Sequence, residues 1–143
     1  MQEIKDFIRK VNYHETDKMG ITHHSNYIKW MEEARVDFLE QIGWGYAKLE
    51  SEGIVSPVIG VECQYKRPTT FGDPVCIHVP VEEFGRIELV IGYTMTKEPT
   101  GEIVLTGKTH HCFLSDTGRP IALKRQFPAL DACLRSFVTS KET

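Results

Sequence analysis

The chain contains no run of about 18 apolar residues, the length that a membrane-crossing helix needs, so no membrane span is expected. It also has no marked excess of either charge. Seventeen Lys and Arg stand against 20 Asp and Glu, for a formal net charge of −3. That balance gives no general electrostatic reason to bind nucleic acid or an anionic membrane, and neither is expected as a partner. Its four cysteines, Cys63, Cys76, Cys112 and Cys133, are widely spaced and form no C-x-x-C pair, so neither a disulfide framework nor a zinc site is indicated. The adjacent pairs His23-His24 and His110-His111 lack metal-ligand spacing, and neighbours on a strand point to opposite faces. No metal and no bound cofactor are expected. Phosphate-loop patterns are absent too, so the phosphates of any nucleotide-like ligand must be held by side chains. The N-terminal MQEIKDFIRK has no apolar core of a signal peptide, and a reducing, cytoplasmic setting is expected.

With 143 residues, 41% of them hydrophobic and 26% charged, the chain has the composition of one ordinary globular core, and residues 1–143 are expected to form a single domain. Its organising stretch is Tyr13 to Arg35, YHETDKMGITHHSNYIKWMEEAR. Residues 4–13 read as a strand and 14–24 as a loop with Gly20 as its flexible point. Ser25 and Asn26 read as N-cap residues. From Tyr27, the apolar positions Tyr27, Met31, Ala34, Phe38 and Ile42 fall at steps of three and four, and Ile28, Trp30 and Leu39 widen the stripe. Gly43 supplies a stop, and a second short helix is expected over Tyr46–Glu52.

Beyond Gly53 the period changes from 3.6 to 2. Ile59, Val61, Cys63 and Tyr65 alternate with more polar neighbours. The same holds for Val75, Ile77, Val79 and Val81, for Ile87, Leu89, Ile91, Tyr93 and Met95, and for Ile103, Leu105, Thr109, His111 and Phe113. Such runs predict an antiparallel sheet with one face on a core. Phe84-Gly85-Arg86 and Pro99-Thr100-Gly101 read as turns, Pro80 belongs at an edge or bulge, and Pro128–Phe137 reads as a terminal helix. The expected class is α+β: a sheet of five or six strands wrapped around one long central helix.

The chemistry-capable residues crowd before that helix. Asp17 is a candidate nucleophile or general base, although an isolated loop Asp beside a glycine more often closes a turn. His24 is a candidate proton-handling or orienting group, and Tyr13 a candidate hydroxyl; taken alone, each reads more simply as a structural residue. Backbone N–H groups of Asn26 and Tyr27, at a helix start, can stabilise a developing oxyanion. A carboxylate beside a helix N-terminus suits acyl transfer or hydrolysis. Basic candidates for phosphate are Lys66-Arg67, Lys108, Arg119 and Lys124-Arg125, most of which read as solvating charge.

This stretch resembles the hot-dog-fold acyl-CoA thioesterases of the 4-hydroxybenzoyl-CoA thioesterase and YbgC-like group. The shared pattern falls on Tyr13, Thr16-Asp17, Gly20, His24, Asn26-Tyr27, Trp30, Glu32 and Ala34-Arg35, and continues in YKRPTTFGD at 65–73 and TGRP at 117–120. It spans roughly residues 7 to 127. The resemblance implies a sheet wrapped on a helix and a homo-oligomer, dimer or tetramer, in which sheets join edge to edge and sites lie between subunits. It implies an acyl-CoA substrate, Asp17 as the catalytic carboxylate with Tyr13 and His24 beside it, and substrate contacts from Asn26, Tyr27, Lys66 and Arg67. His23 and Lys18-Met19 depart from residues common in relatives and bear on acyl preference. Three other readings compete: a hot-dog protein that binds acyl-CoA without cleaving it, an acyl carrier protein thioesterase, and a dehydratase.

Overall fold

The structure, a computed structural model, describes residues 2–138. In chain order it consists of β1 (Phe7–Lys10), α1 (Ser25–Gln41), α2 (Tyr46–Ser51), β2 (Ile54–Val55), β3 (Val58–Tyr65), β4 (Pro74–His78), β5 (Val81–Phe84), β6 (Leu89–Lys97), β7 (Glu102–His111), β8 (Leu114–Ser115), α3 (Leu123–Gln126) and α4 (Pro128–Ser136). Six strands make one antiparallel sheet in the order β1-β4-β6-β7-β3, with β5 also pairing β6, while β2 and β8 form a separate pair. β4 and β5 lie end to end along β6, separated at Val79-Pro80, where Pro80 has no N–H to give but its carbonyl accepts from Gly92.

The 3.6-residue stripe of α1 covers this sheet. Trp30, Met31, Ala34 and Phe38 are almost wholly buried and share a core with Val75, Ile77, Ile91, Met95 and Leu105. Each such aliphatic or aromatic side chain contributes about 1.5–3 kcal/mol through burial. Helix and sheet approach closely at Gly107. A Cβ there would lie 3.0 Å from Cys63 Cβ and from the Glu62 carbonyl and 3.2 Å from Met31 Cε, so a side chain at this position would crowd β3 and the end of Met31. The helix stops at Gly43, whose φ of +85° is strained for any residue with a Cβ.

Several expectations are corrected. The first strand is shorter than residues 4–13, and Tyr13–Glu15 is one 3-10 turn that starts the loop. Ile28 lies on the solvent side of α1, outside the stripe. Ile87 falls in the β5–β6 turn and is exposed. A register shift between Met95 and Thr96 flips the facing of the adjoining residues on β7, so Val104 is buried and Ile103 exposed. Val61, Cys63 and Tyr65 pair in regular register, but a shift between Val58 and Gly60 leaves Ile59 without a partner on β7. Ile59, Val61 and Tyr65 are about half exposed, because β3 is the outermost strand and has a neighbour on one side only. Among the described residues, no helix is long and apolar enough to cross a membrane.

Candidate active site

The loop from Thr16 to His24 is closed by two rungs. Outside, the His23 N–H donates to the Glu15 carbonyl at 2.9 Å; inside, the Asp17 N–H donates to the Ile21 carbonyl at 2.9 Å. Asp17 is half-buried, and its Oδ1 accepts the Met19 N–H at 2.9 Å, which makes it the turn-closing Asp that an isolated loop residue suggests. Its other oxygen, Oδ2, has no hydrogen-bond partner among the described residues.

The helix start differs from its expected form. α1 begins at Ser25 with His24 in the cap position, and no side chain caps it. Ser25 Oγ instead meets His23 Nδ1 at 2.9 Å. The N–H groups of Asn26 and Tyr27, expected to be free for an oxyanion, donate to the His23 and His24 carbonyls at 3.0 and 3.3 Å, so the first turn is tightened and satisfies itself. At the helix start, the His24 N–H meets no acceptor among the described residues, as is also true of the Lys18 and Ile21 N–H groups in the loop.

Side chains of the motif divide into those that line a groove and those that hold it. A groove of about 230 Å³ is lined by Ile21, His24, Tyr27, Tyr65, Lys66 and Arg67, together with Thr22 and Pro68. His24 stacks on His23 with ring centroids 4.3 Å apart and meets the edge of Tyr65 at 6.3 Å. Partial burial, with Cys63 alongside, pushes the Tyr65 phenol up to about 12, so it stays protonated. Tyr27 is buried as a wall, its hydroxyl 2.9 Å from Thr69 Oγ1. Asn26 is 9% exposed and turns inward, its amide donating to the Glu15 carbonyl at 2.9 Å. Tyr13 does not line this groove. It is 76% exposed, with its ring against the edge of Phe71 at 5.6 Å.

Two features escaped the sequence reading. Glu15, 4% exposed, accepts from Arg9 at 2.9 and 3.0 Å, from the Asn12 N–H and from Trp30 Nε1. Burial alone would raise its pKa, but these donors outweigh it and hold the carboxyl below the ordinary range. At the far end of the sheet lies a concave surface of about 690 Å³ lined by Arg86, Lys124, Arg125 and Arg135, with Gly85 and Ala122. Arg135 is engaged with Asp131 and with the Phe84 carbonyl. Arg86 and Arg135 carry no motif that would have flagged them.

A second polar chain crosses the core behind α1. The buried Arg35 donates to Tyr46 Oη at 3.1 Å and its charge acts on Tyr93; Tyr93 Oη lies 2.6 Å from Thr109 Oγ1, which lies 2.7 Å from His111 Nε2. With Tyr93 donating to Thr109 and Thr109 to His111 Nε2, the proton of neutral His111 sits on Nδ1. That nitrogen has no partner in hydrogen-bond geometry, although the Pro57 carbonyl is near; His111 lines a cavity of about 10 Å³, the scale of one water. Burial, then the charge of Arg35, lowers His111 to about 4. The unfolded chain therefore takes up this proton first. Stability is complete above pH ~6.5 and falls by roughly 3 kcal/mol as pH drops toward 4. Glu15 adds a loss at lower pH still, as its depressed carboxyl is protonated. Urea unfolding at pH 7, 5.5 and 4.5 should show the first loss in wild type and lose it in His111→Asn; an equal slope in both would contradict the assignment.

Comparison with known proteins was made on sequence and on fold. A family model described as the thioesterase-like superfamily matches residues 11–135. YneP of Bacillus subtilis (strain 168), provisionally named an acyl-CoA thioesterase, is 33% identical over 120 residues, or 83% of this chain and 86% of the relative. A DHNA-CoA thioesterase structure from Staphylococcus aureus superposes with a TM-score of 0.87 at 34% identity, over 92% of this chain and 89% of that one. A gentisyl-coenzyme A thioesterase structure superposes at 0.78 with 25% identity, over 87% of this chain and 99% of that one.

Proposed function

We propose that this chain, which belongs to the thioesterase-like superfamily and is a thioester hydrolase of the hot-dog fold, cleaves an acyl-CoA ester to the free acid and coenzyme A. The observation that carries this reading is that one short loop holds both an Asp17 oxygen and a His24 N–H without hydrogen-bond partners among the described residues. With the thioester carbonyl oxygen on that N–H, negative charge developing there is stabilised by a donor that is already oriented. As a nucleophile, Asp17 Oδ2 attacks the carbonyl carbon, the C–S bond breaks to release a CoA thiolate that solvent protonates, and water then hydrolyses the acyl-Asp17 anhydride to the free acid. As a base, Oδ2 instead takes a proton from an attacking water. In the water route, the proton held by Asp17 passes to the departing CoA thiolate, and the acid is left behind.

The substrate's other end is assigned from topology. β3 presents an eight-residue open edge with exposed Val58, Ile59, Val61 and Tyr65, and such an edge is stable in water when a second strand covers it. A second copy pairing antiparallel along β3 places its Val58 end beside this chain's Tyr65 end. Val58 pairs with His111, which pairs with Leu89, so the Val58 end carries the β5–β6 turn and the basic surface of Arg86, Lys124 and Arg125. In the dimer, the partner copy's basic surface faces this chain's loop and receives the CoA phosphates, while Lys66 and Arg67 guard the groove's mouth. Tyr13 and Phe71 form an apolar rim for the acyl group. A dimer is the smallest assembly that completes the site. The four free cysteines suit a reducing, cytoplasmic setting.

A second reading, binding without cleavage, draws support from the Met19 N–H on Asp17 Oδ1, which is a turn's use of an Asp. Thiol release from short, long and aromatic acyl-CoA esters, and from the same acyl groups on phosphopantetheine alone, separates the two. Cleavage is expected, with a preference for the esters that carry the nucleotide. Tight binding of several acyl-CoAs with no thiol released would establish the second reading.

A further inference from the structure

Glu15 stands two residues before Asp17, and its position is over-determined. Its carboxylate ties the loop's entry to β1 through Arg9, to the chain's own turn through the Asn12 N–H, and to α1 through Trp30 Nε1 at 3.0 Å. Its carbonyl receives the His23 N–H and the Asn26 amide, both at 2.9 Å, and the same Asn26 nitrogen reaches the His23 carbonyl at 3.3 Å. The entry and exit of the Asp17 loop are thereby held to each other and to the two elements beneath them. A carboxylate buried this deeply is costly unless paired, and a hydrophobic contact would secure a turn as well. What the charge adds is direction: four donors from three elements fix one orientation of the Glu15 backbone.

We propose that Glu15 and Asn26 form a brace that sets the spacing between the Asp17 carboxylate and the His24 N–H, acting as positioning residues that do not touch substrate. The inference rests on the hydrolytic role proposed for that pair. A reacting carbonyl must meet both groups at once, and a displacement of about 1 Å in one of them lowers turnover far more than binding.

The brace is tested in the full-length protein with Glu15→Gln, which keeps size but loses charge and sets an amide against Arg9. Glu33→Gln is the control, since it removes the other carboxylate on the same arginine, 2.7 Å from Arg9 Nε, at a more exposed site. In Glu15→Gln, kcat should fall about 10- to 100-fold with KM changed less than about threefold. Hydrogen exchange at the Asp17 and His23 amides should rise at least about tenfold while β6 amides stay protected. Glu33→Gln should keep kcat within about twofold. An unchanged kcat with a protected loop, or a kcat that falls only with the folded fraction, overturns the proposal. If Glu15→Gln does not fold, Asn26→Ala removes the side-chain amide from the Glu15 and His23 carbonyls and leaves Arg9–Glu15 intact, and the same split is required of it. Should wild type cleave no thioester, the hydrolytic reading fails on its own, and the exchange rates still decide whether the brace exists.

Discussion

Asp17→Asn is expected to lower kcat/KM for acyl-CoA thiol release by about 10³-fold or more, equivalent to about 4 kcal/mol of transition-state stabilisation. The substitution is selective. An asparagine Oδ1 can still accept the Met19 N–H at 2.9 Å, so the turn and the inner rung to Ile21 persist and the fold is unchanged. What is lost is the negative charge and basicity of Oδ2, the loop carboxylate oxygen that has no hydrogen-bond partner among the described residues. Unfolding midpoint and oligomer size should match wild type, with acyl-CoA binding retained. Full turnover in this variant would remove Asp17 from the chemistry and leave it as the turn residue its Oδ1 contact describes.

The second large effect is expected at the open edge. Ile59, left unpaired by the register shift between Val58 and Gly60, and Val61 are both about half exposed in the single chain, so lysines there cost the monomer little. Across a two-fold axis the same pair would set four lysines against one another, and like charges on paired strands are destabilising. Ile59→Lys with Val61→Lys should sediment as a monomer, unfold with a single transition, and release thiol at least about 100-fold more slowly than wild type. A monomeric variant with wild-type turnover would show that one chain holds a whole site.

The helix and the sheet were legible because their periods are written in side chains that must be buried: Met31, Ala34 and Phe38 at helical steps, and Leu89, Ile91, Tyr93 and Met95 at alternate positions. What the pattern could not carry was facing where something other than burial decides. The shift at Met95/Thr96 moves Val104 inward against the alternation, a second shift leaves Ile59 unpaired, and β3 has no further strand beyond it to pack on. At the site, residue type and motif singled out the loop but not each side chain's contacts. Asn26 was expected to offer its N–H to substrate; the structure uses that N–H in the helix and the amide in the brace. Glu15 looked like one more polar loop residue because nothing local distinguishes a carboxylate that four donors will surround. Arg86 and Lys124 are 38 residues apart and meet only through the turn and helices that the fold brings together.

The central claim is a thioester hydrolase whose site joins Asp17 of one chain to the basic surface of another. It is tested most directly by mixing two inactive proteins, Asp17→Asn and the pair Arg86→Glu with Arg125→Glu, and exchanging their subunits. Random assortment makes about half of the dimers hybrids, each with one intact site, so thiol release should recover to about a quarter of the wild-type rate. If carboxylate and basic surface belong to the same chain's site, no hybrid contains an intact pair, and the mixture would stay as inactive as its parents.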